Sequence, residues 1–394
     1  MCPNRSILNG IPSARPGLAR RLSVAAGIAA VMLALAGCDS GGSSPAPQGT
    51  TKKHEKDHSK KDGDHETATP PAAGNTTTAP EAATPDEPNA IAFYLSMHGA
   101  AGSDTIVGVT DDGRLLGSVV RDLPADNQLH LLRGLSMLPD RSVLVSNAFK
   151  TDTCILRFGP IAADRSAAFA SVLVQGGPEN PSLTHAYGVV PAPDGSIYCS
   201  NQDTNTVTRY GGPTSTTPGA PLPVPPSLAN ISGLTPGVFI VGHDKDPQGL
   251  LDVRGIAFGP DGLLYVADKG RHQVAAYDPV SGARKKIVAS EKHGLKHPIQ
   301  LAFTDDGASM FISDNGTNSV WRVDLKSGEV HDFVPSTTPG LKAPSALVVD
   351  GDRLLVASRT GRTIFSVRIS DGQVAATPFV SNLPDDPEFL LKVK

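Results

Sequence analysis

The sequence predicts an all-β fold: a six-bladed β-propeller of four-stranded blades, its ring closed by the C-terminal strand joining the N-terminal blade. Three observations predict it. Five segments superimpose: RGLSMLPDRSVLVSN from Arg133, YGVVPAPDGSIYCSN from Tyr187, RGIAFGPDGLLYVAD from Arg254, IQLAFTDDGASMFISD from Ile299 and SALVVDGDRLLVAS from Ser345. Each reads as a strand, a turn of the Pro-Asp-Gly kind, and a second strand ending in Asn, Asp or Ser. Their starts lie 54, 67, 45 and 46 residues apart, the spacing of propeller blades. The composition agrees, with 40 Gly, 34 Pro, 5% aromatic residues and no long segment of helical period.

The chain opens with Arg15, Arg20 and Arg21, then the apolar run LSVAAGIAAVMLALAG, then Cys38. A basic start, a short apolar run and small residues before a cut are the parts of an export signal, here residues 1–37, and the run is too short for a mature membrane span. Leu35-Ala36-Gly37-Cys38 resembles the bacterial lipoprotein cleavage box. That resemblance implies that the Cys38 thiol is acylated, as by palmitate, and that the mature chain is extracytoplasmic and anchored to the membrane.

Residues 38–88 are rich in Ser, Thr, Pro, Ala and charge and nearly free of large apolar side chains, so they read as a disordered tether. Within it, KKHEKDHSKKDGDHE carries His54, His58 and His65, with nothing to hold three ligands in fixed geometry; it reads as a solvated spacer. Arg5, Arg15, Arg20 and Arg21 are the charged residues of the first 37 positions. Without them, 35 basic and 39 acidic residues become 31 against 39, a formal charge of −8. That balance argues against a nucleic-acid partner.

Residues 89–394 form the propeller. IAFYLSM, DTIVGVTDDG and RLLGSVVRD read as the second, third and fourth strands of blade one, and Pro387 to Val393 supplies its missing first strand. Closure of this kind removes open sheet edges, and the protein is expected to be a monomer. Each later blade continues past its repeat into a third strand, such as HQVAAYDPVSG or NSVWRVDLKSG, and a fourth, such as KKIVAS. The Pro-rich stretch GGPTSTTPGAPLPVPPSLANISGLTPG falls between the third and fourth strands of blade three as a surface loop. Cys154 and Cys199 lie in neighbouring blades, where a disulfide and two buried thiols are both open.

Loops before the first strand and between the second and third strands share one face, here called the top. Aligning the innermost strands places Arg133, Tyr187, Arg254, Ile299, Ser345 and Glu388 at one position of the channel mouth. Two residues earlier stand Leu131, His185, Asp252, His297, Ala343 and Asp386, with His130 one step off. Arg133, Tyr187, Arg254 and Glu388 are the candidate ligand-binding residues, the arginines offering bidentate geometry to an anion. His130, His185, Asp252 and His297 are the candidate ligands of one divalent metal, zinc, manganese or calcium. The same side chains could instead pair with one another as a hydrogen-bonded plug. Asn147, Asn201, Asp268, Asp314 and Ser358 close the second strands and read as structural. Lys269, Arg271, Arg359 and Arg362 follow them as a basic rim.

GHDKDPQGLLDVRG, from Gly242, offers Asp244, Asp246, Gln248, Gly249 and Asp252 at calcium-loop spacing, but Gly255 stands where a bidentate Glu is needed. It reads as a top-face connection, with Asp244 and Asp246 on the rim.

The LPD and PDG turns and the YVAD and FISD strand ends resemble the NHL-repeat family, which implies a propeller hosting enzymes or binding modules. The peptide-amidating and streptogramin lyases of that kind imply channel histidines as metal ligands, which His185 and His297 match, with His130 as a third. The related gluconolactonase-like propellers imply a calcium site. Glu388 matches their Glu, whereas Gln300 and Ala346 stand where an Asn would. Two functions follow. The leading one is a lipid-anchored propeller binding a protein, glycan or small anionic ligand at the top of its channel; the alternative is a metal-dependent lyase, lactonase or other hydrolase at the same mouth.

Overall fold

A computed structural model describes residues 90–99, 102–125, 128–148 and 153–393. The export signal, Cys38 and the tether with His54, His58 and His65 lie outside the described residues.

Six sheets follow one another in chain order. Blade one holds β1 (Ile91–Met97), β2 (Ile106–Thr110) and β3 (Leu115–Ser118). Blade two holds β4 (Val120–Arg121), β5 (Leu132–Met137), β6 (Ser142–Asn147), β7 (Cys154–Pro160) and β8 (Ala167–Gln175). Blade three holds β9 (Ala186–Pro191), β10 (Ile197–Asn201), β11 (Thr206–Tyr210) and β12 (Val238–Ile240). Blade four holds β13 (Val253–Phe258), β14 (Leu264–Asp268), β15 (Gln273–Tyr277) and β16 (Arg284–Ser290). Blade five holds β17 (Pro298–Phe303), β18 (Ser309–Asp314), β19 (Ser319–Asp324) and β20 (Val330–Val334). Blade six holds β21 (Pro344–Asp350), β22 (Arg353–Ser358) and β23 (Thr363–Arg368). The last strand, β24 (Pro387–Lys392), returns to pair antiparallel with β1, Leu95 opposite Leu390. The protein is a six-bladed β-propeller, closed as the sequence predicts.

Two blades depart from the four-strand expectation. RLLGSVVRD does not stay in blade one: after β3 the Val119 amide still bonds the Ile106 carbonyl, but its own carbonyl takes the Ala167 amide of blade two. Val119 is buried at that crossing, and β4 continues as a parallel fifth strand beside β8. In blade six the outermost strand is reduced to two bridges, Ile364 to Val380 and Val367 to Val374. The Pro-rich loop does separate β11 from β12.

The core lies between blades. Leu144, Ile155 and Val174 of blade two pack on Val189, Ile197, Cys199 and Tyr210 of blade three. Cys154 belongs instead to a cluster with Tyr94 and Ile106 of blade one, so the two thiols are buried in different layers.

Near the axis the blades approach closely enough to exclude a side chain. A Cβ on Gly134 would stand 2.6 Å from the Tyr187 carbonyl oxygen, and one on Gly255 2.6 Å from that of Ile299. Buried hydroxyls complete this seam. Ser200 Oγ accepts from the Gly188 amide of its own blade and donates to the Arg254 carbonyl of the next, at 2.9 and 2.6 Å. Ser313 Oγ does the same between the Gln300 amide and the Ser345 carbonyl. Ser96 donates to the Arg133 carbonyl and Ser345 to that of Pro387.

Candidate functional site

In every blade the innermost strand carries one extra residue against its neighbour: between Leu132 and Leu135, Ala186 and Val189, Val253 and Ile256, Pro298 and Leu301, Pro344 and Leu347, and Pro387 and Phe389. Such a bulge re-aims the side chain beside it. Here it presents Arg133, Tyr187, Arg254, Ile299, Ser345 and Glu388, which all line a cavity of about 230 Å³. A second tier comes from the residue following each second strand: Gln202, Lys269, Asn315 and Arg359 line the same cavity. Their amides bond the carbonyls of His185, Asp252, His297 and Ala343, fixing the second tier above the first.

The mouth is charged, and its centre is buried. Glu388 is 2% exposed and Arg133 8%. Arg133 Nη1 stands 3.2 Å from Glu388 Oε1, and Arg359 Nε 2.9 Å from Glu388 Oε2. Burial alone would raise the Glu388 carboxyl, but Arg133 and Arg359 beside it hold it below the ordinary carboxylate range. Tyr187, a neighbour of both by blade order, lies under the Arg133 and Arg254 guanidinium groups, 5.7 and 5.8 Å from its ring centroid. Its hydroxyl is pushed up by burial, so it stays protonated. Arg254 and Lys269 share Asp252, Arg254 through a short contact to Oδ1 and Lys269 at 3.0 Å from Oδ2. Arg133 Nε, Arg359 Nε, Glu388 Oε2 and Gln202 Oε1 are buried with no aligned hydrogen-bond partner among the described residues.

The four candidate ligand-binding residues therefore share one cavity. The four candidate metal ligands do not come together: among the described residues no group of three or more His, Cys, Asp or Glu is placed to hold a metal ion. His130 faces Asp104 at 3.8 Å, His185 Nδ1 faces Asp203 at 3.0 Å, and His297 stacks on His272 with centroids 5.9 Å apart. Asp252 is held between two cations. Burial, then Arg133, lowers His185; burial, then Lys269, lowers His297. In the loop from Gly242, Asp246 Oδ1 accepts from its own turn at Gln248, and Asp244 is an exposed rim residue.

The closing residues bond backbone: Asp268 and Asp314 accept from their own turns, at Arg271 and at Gly316 and Thr317, and the set also reaches a second segment. Asn147 Oδ1 accepts from His130, Asn201 Oδ1 from Thr184, Asp314 from Lys296 and His297, and Ser358 Oγ from Lys342. Each pins the start of the innermost strand of its own blade. Sequence reasoning missed the residues just after them. Gln202 and Asn315 went unremarked, and Lys269 and Arg359 were assigned to an outer rim. In blade one that position is His98, whose Nδ1 stands 2.6 Å from Arg133 Nη1; burial, then Arg133, lowers it to about 4. The signal was available, as the residue after each closing position in the repeat.

The comparisons agree on architecture. Residues 250–277, which span β13 to β15, match the NHL repeat. No curated protein matches this chain. Among solved structures, a chain of the nidogen/laminin complex is similar over 76% of this chain and 97% of its own, at 14% identity and a TM-score of 0.55. A streptogramin B lyase is similar over 75% and 82%, at 10% identity and a TM-score of 0.49. A candidate 6-phosphogluconolactonase from Bacteroides fragilis is similar over 79% and 100%, at 15% identity and a TM-score of 0.49. At these identities the likeness is one of fold, and what it supports is a six-bladed β-propeller bearing an NHL repeat.

Proposed function

We propose that this chain is a lipid-anchored extracytoplasmic propeller that binds a small anionic ligand at the mouth of its central channel. One observation carries the reading: four cationic side chains, Arg133, Arg254, Lys269 and Arg359, line a cavity in which Glu388 is the one lining carboxylate. The partnerless buried Arg133 Nε strengthens it. A buried polar atom left unpaired costs about 1 to 3 kcal/mol, and a ligand oxygen or hydroxyl entering the mouth would recover part of that. A cavity of about 230 Å³ suits a small molecule, or the charged end of a glycan or peptide, rather than a protein surface. The metal-dependent lyase or lactonase reading needs His and Asp ligands to converge. Asp252 is instead neutralised by Arg254 and Lys269.

Calorimetry of the full chain against a panel of small organic anions tests this. One-to-one binding is expected, unchanged by chelator and weakened about tenfold or more in Arg254→Gln, the loss of one charged hydrogen-bonding partner. Binding that vanishes with chelator would overturn the reading in favour of a metal site. The anchor is tested separately: Cys38→Ser should move the chain from the membrane fraction to the soluble one, and an unchanged distribution would sink the lipoprotein assignment.

A further inference from the structure

The cations of the mouth are not spread evenly. They fall into two groups, each of two cations around one carboxylate. Arg133 and Arg359 flank Glu388 at 3.2 and 2.9 Å. Arg254 and Lys269 flank Asp252, Lys269 at 3.0 Å. Each group is left with one net positive charge. Asp386 also reaches Arg359, at 3.9 Å, but brings Arg362 with it at 3.1 Å, so three arginines against two carboxylates leave the same count. The His98 imidazole on Arg133 is neutral at physiological pH.

The ring order separates the two groups. Glu388 sits on β24 of blade one and Asp252 leads into β13 of blade four, and in a ring of six those blades face each other across the channel. Tyr187 is placed between Arg133 and Arg254, its ring 5.7 and 5.8 Å from the two guanidinium carbons. One compact anion can meet one of these foci, whereas a ligand with two separated anionic ends meets both. An anion at the first focus also finds a donor that the carboxylate leaves over, Arg133 Nε.

The geometry points to a linear dicarboxylate as the ligand class, bound across the channel mouth with one carboxylate on the Arg133–Arg359 side and the other on the Arg254–Lys269 side. This rests on reading the mouth as an anion site and adds that recognition is two-point. A phosphate monoester concentrates its charge on one centre and would leave one focus unanswered.

The test uses the full chain, calorimetry at fixed ionic strength, and four probes: succinate, glutarate, pentanoate and inorganic phosphate. Succinate or glutarate should bind one-to-one and about tenfold or more tightly than pentanoate, as expected when a second charged contact is made. Lys269→Gln, at the partly exposed edge of the mouth, should bring the diacid down to the pentanoate level, and Arg359→Gln should do the same from the other side. Equal affinity for diacid and pentanoate overturns the two-point inference and leaves the anion site standing. Phosphate binding more tightly than either diacid also overturns it, in favour of a single focus. If no anion binds, the anion-site reading falls together with it.

Discussion

The same innermost strands carry two polar regions that solve opposite problems. At the seam between blades, Ser96, Ser200, Ser313 and Ser345 bond the carbonyls of Arg133, Arg254, Ser345 and Pro387, so these four buried hydroxyls are answered within the fold. At the mouth, the side chains of Arg133, Arg359, Glu388 and Gln202 keep buried atoms without aligned partners. A folded chain satisfies nearly all of its buried polar groups, so a concentration of exceptions in one cavity marks a place where something else completes the set. The seam also serves the mouth. By holding the carbonyls of Arg133 and Arg254, it fixes the backbone from which those guanidinium groups extend.

The largest expected effect strikes the mouth. Glu388→Gln leaves the buried Arg133 and the partly buried Arg359 without their carboxylate and should cost about 3 kcal/mol in urea unfolding at neutral pH. The sign with pH follows from the lowered carboxyl. Its contribution is fully present above the ordinary carboxylate range and is lost as pH falls through the lower folded value, so the variant should lose less stability on acidification than the parent. A variant as stable as the parent would mean that the centre of the mouth is solvated.

Next comes the seam itself. Gly134→Ala places a methyl group against the Tyr187 carbonyl and neighbouring backbone, which cannot rotate aside, and should cost about 2 kcal/mol. A neutral result would show that the blades slide apart freely, and the contrast between a rigid seam and an open mouth would fail.

His98 offers a smaller, pH-gated test. Held near 4 by burial and by Arg133, it refuses a proton that the unfolded chain accepts below about 6.5. Stability should therefore fall as pH drops from about 6.5 towards 4, and His98→Gln should flatten that slope. An unchanged slope would place His98 in solvent, away from the mouth.

The legibility of these regions in the sequence differs for a physical reason. Strand position repeats every blade, so the alignment that put Arg133, Tyr187, Arg254 and Glu388 in one ring needed only the Pro-Asp-Gly turns as markers, and all four line one cavity. Side-chain direction in top loops does not repeat. His185 and His297 align as well as the arginines do, and His130 stands one step off, yet each turns to a different local partner, because Leu131 and His185 adopt left-handed backbone while Asp252 and His297 do not. The crossing at Val119 and the reduced outer strand of blade six were hidden for a related reason. Outer strands carry little core pattern, so nothing in their residues says where one blade hands the chain to the next.

The smallest effect discriminates most finely. Ser146 occupies in blade two the place that Ser96, Ser200 and Ser313 hold in blades one, three and five, immediately before the last residue of each second strand. Yet its buried hydroxyl has no partner among the described residues. Ser200→Ala should cost about 1 kcal/mol, the net worth of a buried hydrogen bond, with some addition for the Gly188 amide it abandons. Ser146→Ala removes a hydroxyl that bonds nothing and should be neutral or stabilising by up to about 1 kcal/mol. The pair is measured by urea unfolding under one condition. Equal losses would mean that Ser146 reaches the Tyr187 carbonyl in solution and that the seam is uniform around the ring. Unequal losses would show that blades two and three are joined by close backbone approach at Gly134 and by the Thr153 hydroxyl, which accepts from the Ala186 amide, rather than by Ser146. Tyr187, the residue shared by both arginines, would then sit on an interface that, like that of blades four and five where Ala267 takes the place of the serine, gets no stitch from its second strand.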